Sequence, residues 1–224
     1  MIYHLLTTLQ MARLVTVPRL DGGNDTVTVY GVEDFPYDRL DTKAMKCNNK
    51  RKCAEYLQTF GVYDIETTTI YKGKAPDWVV APWAFMYHWQ MDVGGYLIVG
   101  RTWDEWLEFF DRLEEVLQFN SNKQLVIYVH NLGYEFQFMR DFLECYFGGF
   151  TVFASKARQP ITVQTGRGIQ FRCSYKLTNM SLEKAVKNEM GVIHTKAVGD
   201  LDYKKIRTPK TRLTDIEIGY CVAD

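Results

Sequence analysis

The sequence lacks most of the features that would place it at once. Neither sign of charge is in excess, 27 Lys and Arg standing against 27 Asp and Glu, so no global field attracts a polyanion and any nucleic-acid contact must be local. The five cysteines, Cys47, Cys53, Cys145, Cys173 and Cys221, have neither the paired spacing of a zinc site nor that of a disulfide framework. They read as reduced thiols of a cytoplasmic protein. The longest apolar run, near "WVVAPWAFMY", is far too short to span a bilayer. The N-terminal "MIYHLLTTLQMARLVTVPRL" is interrupted by His4 and Arg13 and carries no small-residue cleavage pattern. No membrane partner is expected. Internal repeats and low-complexity tracts are absent as well. Disorder is excluded by a hydrophobic fraction of 46%, and 224 residues suffice for one well-cored α/β domain.

What is present divides into two parts. Residues 1–55 read as an N-terminal extension: β-like pieces such as "TVTVYGV", Gly and Asp turns, and the basic stretch "KAMKCNNKRK", whose ordinary role is to face water. Residues 56–224 read as one domain. "FMYHWQM" and "GYLIVG" joined by "DVGG" form a hairpin. Thr102 and Glu105 make a capping box for a helix whose apolar stripe (Trp103, Trp106, Leu107, Phe110, Leu113, Leu117) is core. "KQLVIYVHN" is a central strand feeding the helix "LGYEFQFMRDFLECYF". "PITVQT" and "IQFRCSY" pair across a "GRG" turn, "MSLEKAVKNEMG" is a short helix closed by Gly191, and Thr214 and Glu217 cap a last helix that stops mid-pattern at Asp224, which suggests a truncated chain. Hairpins followed by alternating strand and helix predict a mixed sheet with helices packed on it.

Three acidic features stand out from this frame. In "FGVYDIETTTI", Asp64 and Glu66 are at i and i+2, so on a strand they leave the same face a few ångströms apart. Like charges that close repel, and a hard divalent cation, Mg²⁺ or Mn²⁺, relieves the repulsion through oxygen ligands; the bland reading is an edge strand with solvated acids. Glu135 falls in the first turn of the helix after "LVIYVHN", where the helix dipole favours an anion. His130 and Asn131 end that strand at the carboxyl edge of the sheet, His130 reading as a hydrogen-bonded structural histidine. Tyr220 and Asp224 are stacked at i and i+4 on the last helix, with Ile216 on the same, inward face.

The order of these features resembles the 3′–5′ proofreading exonuclease of family B DNA polymerases, the DEDDy group with its RNase H-like, DnaQ-like α/β fold. "YDIETTT" resembles the first exonuclease motif, "HNLGYEFQFM" the second and "YCVAD" the third. "SLEKA" resembles the single-strand-binding motif, and "GDLDYKK" a segment of the protein-primed phage and plasmid branch. The resemblance runs from about Phe60 to the end. It implies two-metal hydrolysis of single-stranded DNA from the 3′ end, with Asp64 bridging two Mg²⁺ or Mn²⁺ ions about 3.5–4 Å apart, Glu66 and Asp224 completing one site, Glu135 the other, and Tyr220 orienting water. Ligands of the 3′ end then fall on Thr67, Asn131, Tyr134, Ser181 and Leu182, with Tyr203 near the scissile phosphate and Lys196 corresponding to a basic residue of the family. The partners implied are a polymerase domain, in cis or in trans, and a terminal protein, the chain itself being a monomer in the host cytoplasm.

Two departures qualify the resemblance. The second motif normally carries Asp, and Glu135 is one methylene longer; a misplacement of about an ångström lowers activity on the order of a hundredfold. The palm motifs of such polymerases are missing, so this chain is not expected to polymerise. Two other readings follow: a weakened module that binds single-stranded DNA or a terminal protein without cutting, and a stand-alone RNase H-like nuclease acting on RNA.

Overall fold

The structure, a computed structural model, describes residues 12–19, 21–46, 53–70, 83–188, 201–202 and 204–223. Ten strands form one sheet: β1 (Arg13–Pro18), β2 (Asn24–Tyr30), β3 (Ala44–Lys46), β4 (Glu55–Ile70), β5 (Trp83–Val93), β6 (Tyr96–Gly100), β7 (Lys123–Val129), β8 (Phe150–Lys156), β9 (Gln159–Thr165) and β10 (Ile169–Cys173). The helices are α1 (Trp103–Leu117), α2 (Leu132–Cys145), α3 (Ser174–Thr178), α4 (Leu182–Asn188) and α5 (Asp215–Ala223). The strand order is β1-β2-β6-β5-β4-β7-β10-β9-β8, with β3 paired to β4 off this path.

Its centre, β6-β5-β4-β7-β10, is the RNase H-like arrangement. β5 runs antiparallel to both neighbours, and β7 and β10 run parallel to β4. Each parallel step needs a crossover, supplied by α1 between β6 and β7 and by α2 with the β8–β9 hairpin between β7 and β10. The β5–β6 hairpin turns through Gly94 and Gly95, both at positive φ, as "DVGG" predicts. The α1 capping box is formed: Thr102 Oγ1 accepts from Glu105 N at 3.2 Å, and Glu105 Oε2 accepts from Thr102 N at 2.9 Å. The strands within residues 12–46 are bonded into the same sheet, β2 lying parallel to β6. Residues 47–52 of the basic stretch, and Gly191, lie outside the described residues.

The helix stripe read from sequence packs where it should. Trp106, Phe110, Leu113 and Leu117 are buried against Trp89, Ile127 and Phe171 in one large core beneath α1 and α2. Ser174 and Tyr175, expected to extend β10, begin α3 instead. The reason is the neighbour: β7 ends at Val129, opposite Cys173, and leaves nothing further to pair with. No helix among the described residues is long and apolar enough to cross a membrane.

On the opposite face α5 lies against β1. Gly219 permits this approach, since a Cβ there would stand 2.6 Å from the Thr16 carbonyl oxygen. Gly219→Ala therefore pushes α5 off β1 and is expected to lower stability by about 1–3 kcal/mol, read from the midpoint of urea unfolding.

Candidate metal centre and single-strand groove

β4 delivers the first two acids. Tyr63 and Ile65 turn into the large core, so Asp64 and Glu66 leave the other face together, as their spacing requires. Glu66 is 8% exposed. The register of β4 with β5 shifts between Glu66 and Thr67: Glu66 faces His88 and Thr67 faces Met86, leaving Tyr87 unmatched. This bulge turns Tyr87 onto the α5 side, where it packs with Val15, Val99 and Ile218.

Glu135 reaches Asp64 because the two parallel strands differ in length. β7 stops at Val129, beside Tyr63, whereas β4 runs on to Ile70. The first turn of α2 occupies the space beside this overhang, and the contact is fixed by a 2.5 Å hydrogen bond between the Thr67 and Tyr134 hydroxyls. Asn131 opens the helix in the left-handed region, φ 65° and ψ 49°, and its side chain makes no capping bond; asparagine tolerates that conformation better than most residues. Glu135 is 4% exposed, and its Oε2 has no hydrogen-bond partner among the described residues. Burial raises its carboxyl to about 8, and the nearby charge of Asp64 adds to the rise. The same two acids, after burial itself, hold the Tyr63 phenol well above its ordinary range.

α5 brings the third element. Its capping box is formed, Glu217 Oε2 accepting from Thr214 N at 2.8 Å and Thr214 Oγ1 from Glu217 N at 3.2 Å. The expected facing is corrected: Ile216 is 71% exposed, and the inward residues are Glu217, Ile218, Tyr220 and Cys221. Two contacts set this rotation. Buried Arg207 draws Glu217 inward through Nη2 and Nε, at 2.7 and 3.1 Å from Oε1, while Gly219 faces β1. The Gln90 side-chain amide then donates both to the Cys221 carbonyl oxygen and to Asp64 Oδ2, the latter at 3.5 Å. Tyr220 is buried beside Leu201 and Cys221.

Two hollows flank the start of α2. One, of about 770 Å³, is lined by Glu66, Thr67, Tyr134 and Lys204 among others. The other, of about 490 Å³, is lined by Asn131, Ser181, His130 and Tyr175 among others. Ser181 caps α4, accepting from Lys184 N at 3.4 Å, and Leu182 opens that helix half-buried. His130 is hydrogen-bonded to Ser174 at 3.2 Å and set edge-on to Tyr175, as a structural histidine would be.

No family model matches the chain, and no curated protein matches it. A solved structure does: Phi29 DNA polymerase complexed with primer-template DNA and incoming nucleotide substrates, over 72% of this chain, with a TM-score of 0.53 and 18% identity. The fold is shared with that polymerase. The chain spans 28% of the Phi29 polymerase chain, and at this identity the likeness extends to the fold alone.

Of the residues singled out from sequence, the structure brings Asp64, Glu135, Thr67 and Tyr134 together at the overhang of β4, with Glu66 on the same strand face. Lys196, Tyr203 and Asp224 lie outside the described residues. Among the described residues, no three of His, Cys, Asp or Glu converge tightly enough to hold an ion; the acid expected to complete the set is Asp224. Sequence reasoning missed Gln90 and His88. Their signal was available, since they alternate with buried Trp89 and Met91 in "YHWQM", polar residues at mid-strand opposite the two acids.

Proposed function

We propose that the chain is a metal-dependent nuclease that shortens single-stranded DNA from its 3′ end, the exonuclease portion of a protein-primed DNA polymerase. The observation that carries this reading is Glu135: a buried carboxylate with an unpaired oxygen beside Asp64, on a fold shared with a DNA polymerase. An orphaned acid next to a second acid fits a divalent cation, which replaces the missing partner. Asp64, Glu66, Glu135 and Asp224 would hold two Mg²⁺ or Mn²⁺ ions, which supply activation of the attacking water and stabilisation of the departing oxygen.

The chain's own residues do the rest. Glu135 would hold the ion as a carboxylate, its proton released to solvent. Tyr220 orients the water. Tyr134 offers a face 39% exposed on which a base stacks, and Thr67, hydrogen-bonded to it, fixes that ring. Asn131, Ser181 and Leu182 hold the strand on the other side of α2, with Lys196 and Tyr203 near the phosphate. The polymerase domain and terminal protein are the partners this reading supplies, residues 56–224 are the nuclease unit, and the cytoplasm is its compartment.

A second reading, a binding module without cleavage, is favoured by the same residue: Glu135 is protonated at neutral pH when no metal is present. Digestion of a 5′-labelled DNA oligonucleotide with Mg²⁺ decides between them. The nuclease gives a ladder shortening from the 3′ end that EDTA abolishes, whereas binding without a ladder establishes the module. A matched RNA strand cut faster than DNA would place the chain among RNA nucleases.

A further inference from the structure

Behind the acidic site, between β1, β5, β6 and the start of α5, lies a separate cavity of about 110 Å³ lined by Arg13, His88, Val99, Arg101, Arg212, Leu213 and Ile218. Three guanidinium groups line it. The Arg101 side chain is spent on neutral carbonyls, Nε donating to Tyr87 O at 2.7 Å and Nη2 to Thr208 O and Thr211 O at 3.0 and 2.8 Å. Among the described residues Arg13 pairs with Asp215, at 3.9 Å, whose side chain is 85% exposed. Glu105 acts on Arg101 only electrostatically at its guanidinium, since its Oε2 is taken by backbone N–H groups and the Thr102 hydroxyl. Burial disfavours the charge on both Arg13 and Arg101, and Arg212 adds to this at Arg13. Three arginines thus meet there against an exposed Asp215 and a Glu105 whose Oε2 is bonded elsewhere.

Among the described residues, two buried nitrogens of this lining have no partner: Arg13 Nε and His88 Nδ1. Their chemistry differs. The Gln90 amide nitrogen is committed to the Cys221 carbonyl, so its oxygen is the atom that faces His88 Nε2, at 3.2 Å. An oxygen facing Nε2 requires the ring proton there, which leaves Nδ1 as a lone-pair acceptor. His88 is 1% exposed, and burial, followed by the charge of Arg101, holds it neutral, pushed down to about 3. The cavity therefore presents arginine donors together with one buried acceptor. Its volume would hold several waters, at about 30 Å³ each in the liquid, or one tetrahedral oxyanion.

We propose that this cavity binds an oxyanion that still carries a proton, of the hydrogen-phosphate class. Its charged oxygens accept from Arg13 and Arg212 beside the Arg101 charge, and its hydroxyl donates to His88 Nδ1. Sulfate, fully ionised at neutral pH, has no hydrogen for that acceptor and sets oxygen lone pairs against it. A phosphodiester is rejected for the same reason, and a phosphomonoester, which sheds its last proton at about pH 6, is disfavoured at neutral pH, so the ligand is free hydrogen phosphate. The site is independent of the nuclease reading, because its residues are not the proposed metal ligands and its test reads binding.

The test is a titration of ¹⁵N-histidine-labelled full chain with sodium phosphate at constant ionic strength, following the His88 ring nitrogens. A saturable shift is expected with phosphate and none with matched chloride. Sulfate binds at least about tenfold more weakly, and Arg212→Ala, a change at an exposed residue, weakens phosphate about tenfold. His88→Gln, which keeps a polar group but replaces the imidazole, removes the preference for phosphate over sulfate when binding is read by calorimetry. Methyl phosphate, mostly without a proton at neutral pH, binds more weakly than inorganic phosphate, and equal affinity of the two would show that His88 Nδ1 receives no proton and overturn the proposal. Absence of saturation, equal affinity for sulfate, or unchanged affinity in folded Arg212→Ala would leave the cavity to water and overturn the proposal.

Discussion

Replacing Arg207 by alanine lowers the stability of the chain by about 3–5 kcal/mol at neutral pH, the range for breaking a buried ion pair by removing one partner. Arg207 is 2% and Glu217 7% exposed. The guanidinium also donates to Asp202 O at 2.7 Å, and its backbone N–H donates to Thr68 Oγ1 at 3.1 Å, which ties the segment before α5 to β4. Without it the cation left beside Glu217 among the described residues is Lys205, at 3.3 Å and half-exposed, and the capping bond that begins α5 carries a poorly compensated charge. Hydrogen bonds and Arg207 hold Glu217 down to about 2 against the opposing effect of burial. A lowered carboxylate contributes stability that is present above about 4.5, its unfolded value, and lost as pH falls through 2. The deficit of Arg207→Ala in urea unfolding should therefore be full at pH 7 and narrow as pH falls below 4. A deficit that stays constant with pH would mean that only packing was lost.

Glu135→Gln acts in the opposite direction. The folded state holds the Glu135 proton up to about 8, whereas the unfolded chain releases it near 4.5, so stability falls as pH rises between those values. Glutamine keeps the shape and removes the buried charge. The variant's advantage over wild type in metal-free buffer should grow by about 2–3 kcal/mol between pH 6 and pH 9, visible as a widening gap in Tm. Mg²⁺ at pH 9 should restore wild type, whose carboxylate gains a partner, and leave the variant unmoved.

The parts of the fold that were legible in the sequence are those with local physical signatures. Both capping boxes form because Thr102 with Glu105, and Thr214 with Glu217, satisfy helix N–H groups within one turn. Asp64 and Glu66 share a face because strand alternation allows nothing else. What stayed hidden depends on contacts distant along the chain. Arg207 lies 10 residues from Glu217 but 139 from Thr68, and Arg101 pins carbonyls 107 and 110 residues away; no local pattern marks an arginine for such work. The facing of α5 was misread for the same reason: i, i+4 spacing puts Ile216 with Tyr220, yet Arg207 and β1 decide which side of the helix is inward. The meeting of Glu135 with Asp64 depends on β7 ending before β4, a difference in strand length that hydrophobic pattern does not encode.

The proposed metal centre requires Asp64 and Glu135 to be a pair of acids that a cation completes. The most direct measurement is carboxyl ¹³C NMR of Glu135 as a function of pH, with and without Mg²⁺. The predicted result is titration near 8 in metal-free protein and an ionised carboxylate at pH 7 once Mg²⁺ is added. Titration at the ordinary glutamate value without metal, or a curve that Mg²⁺ leaves in place, would contradict it.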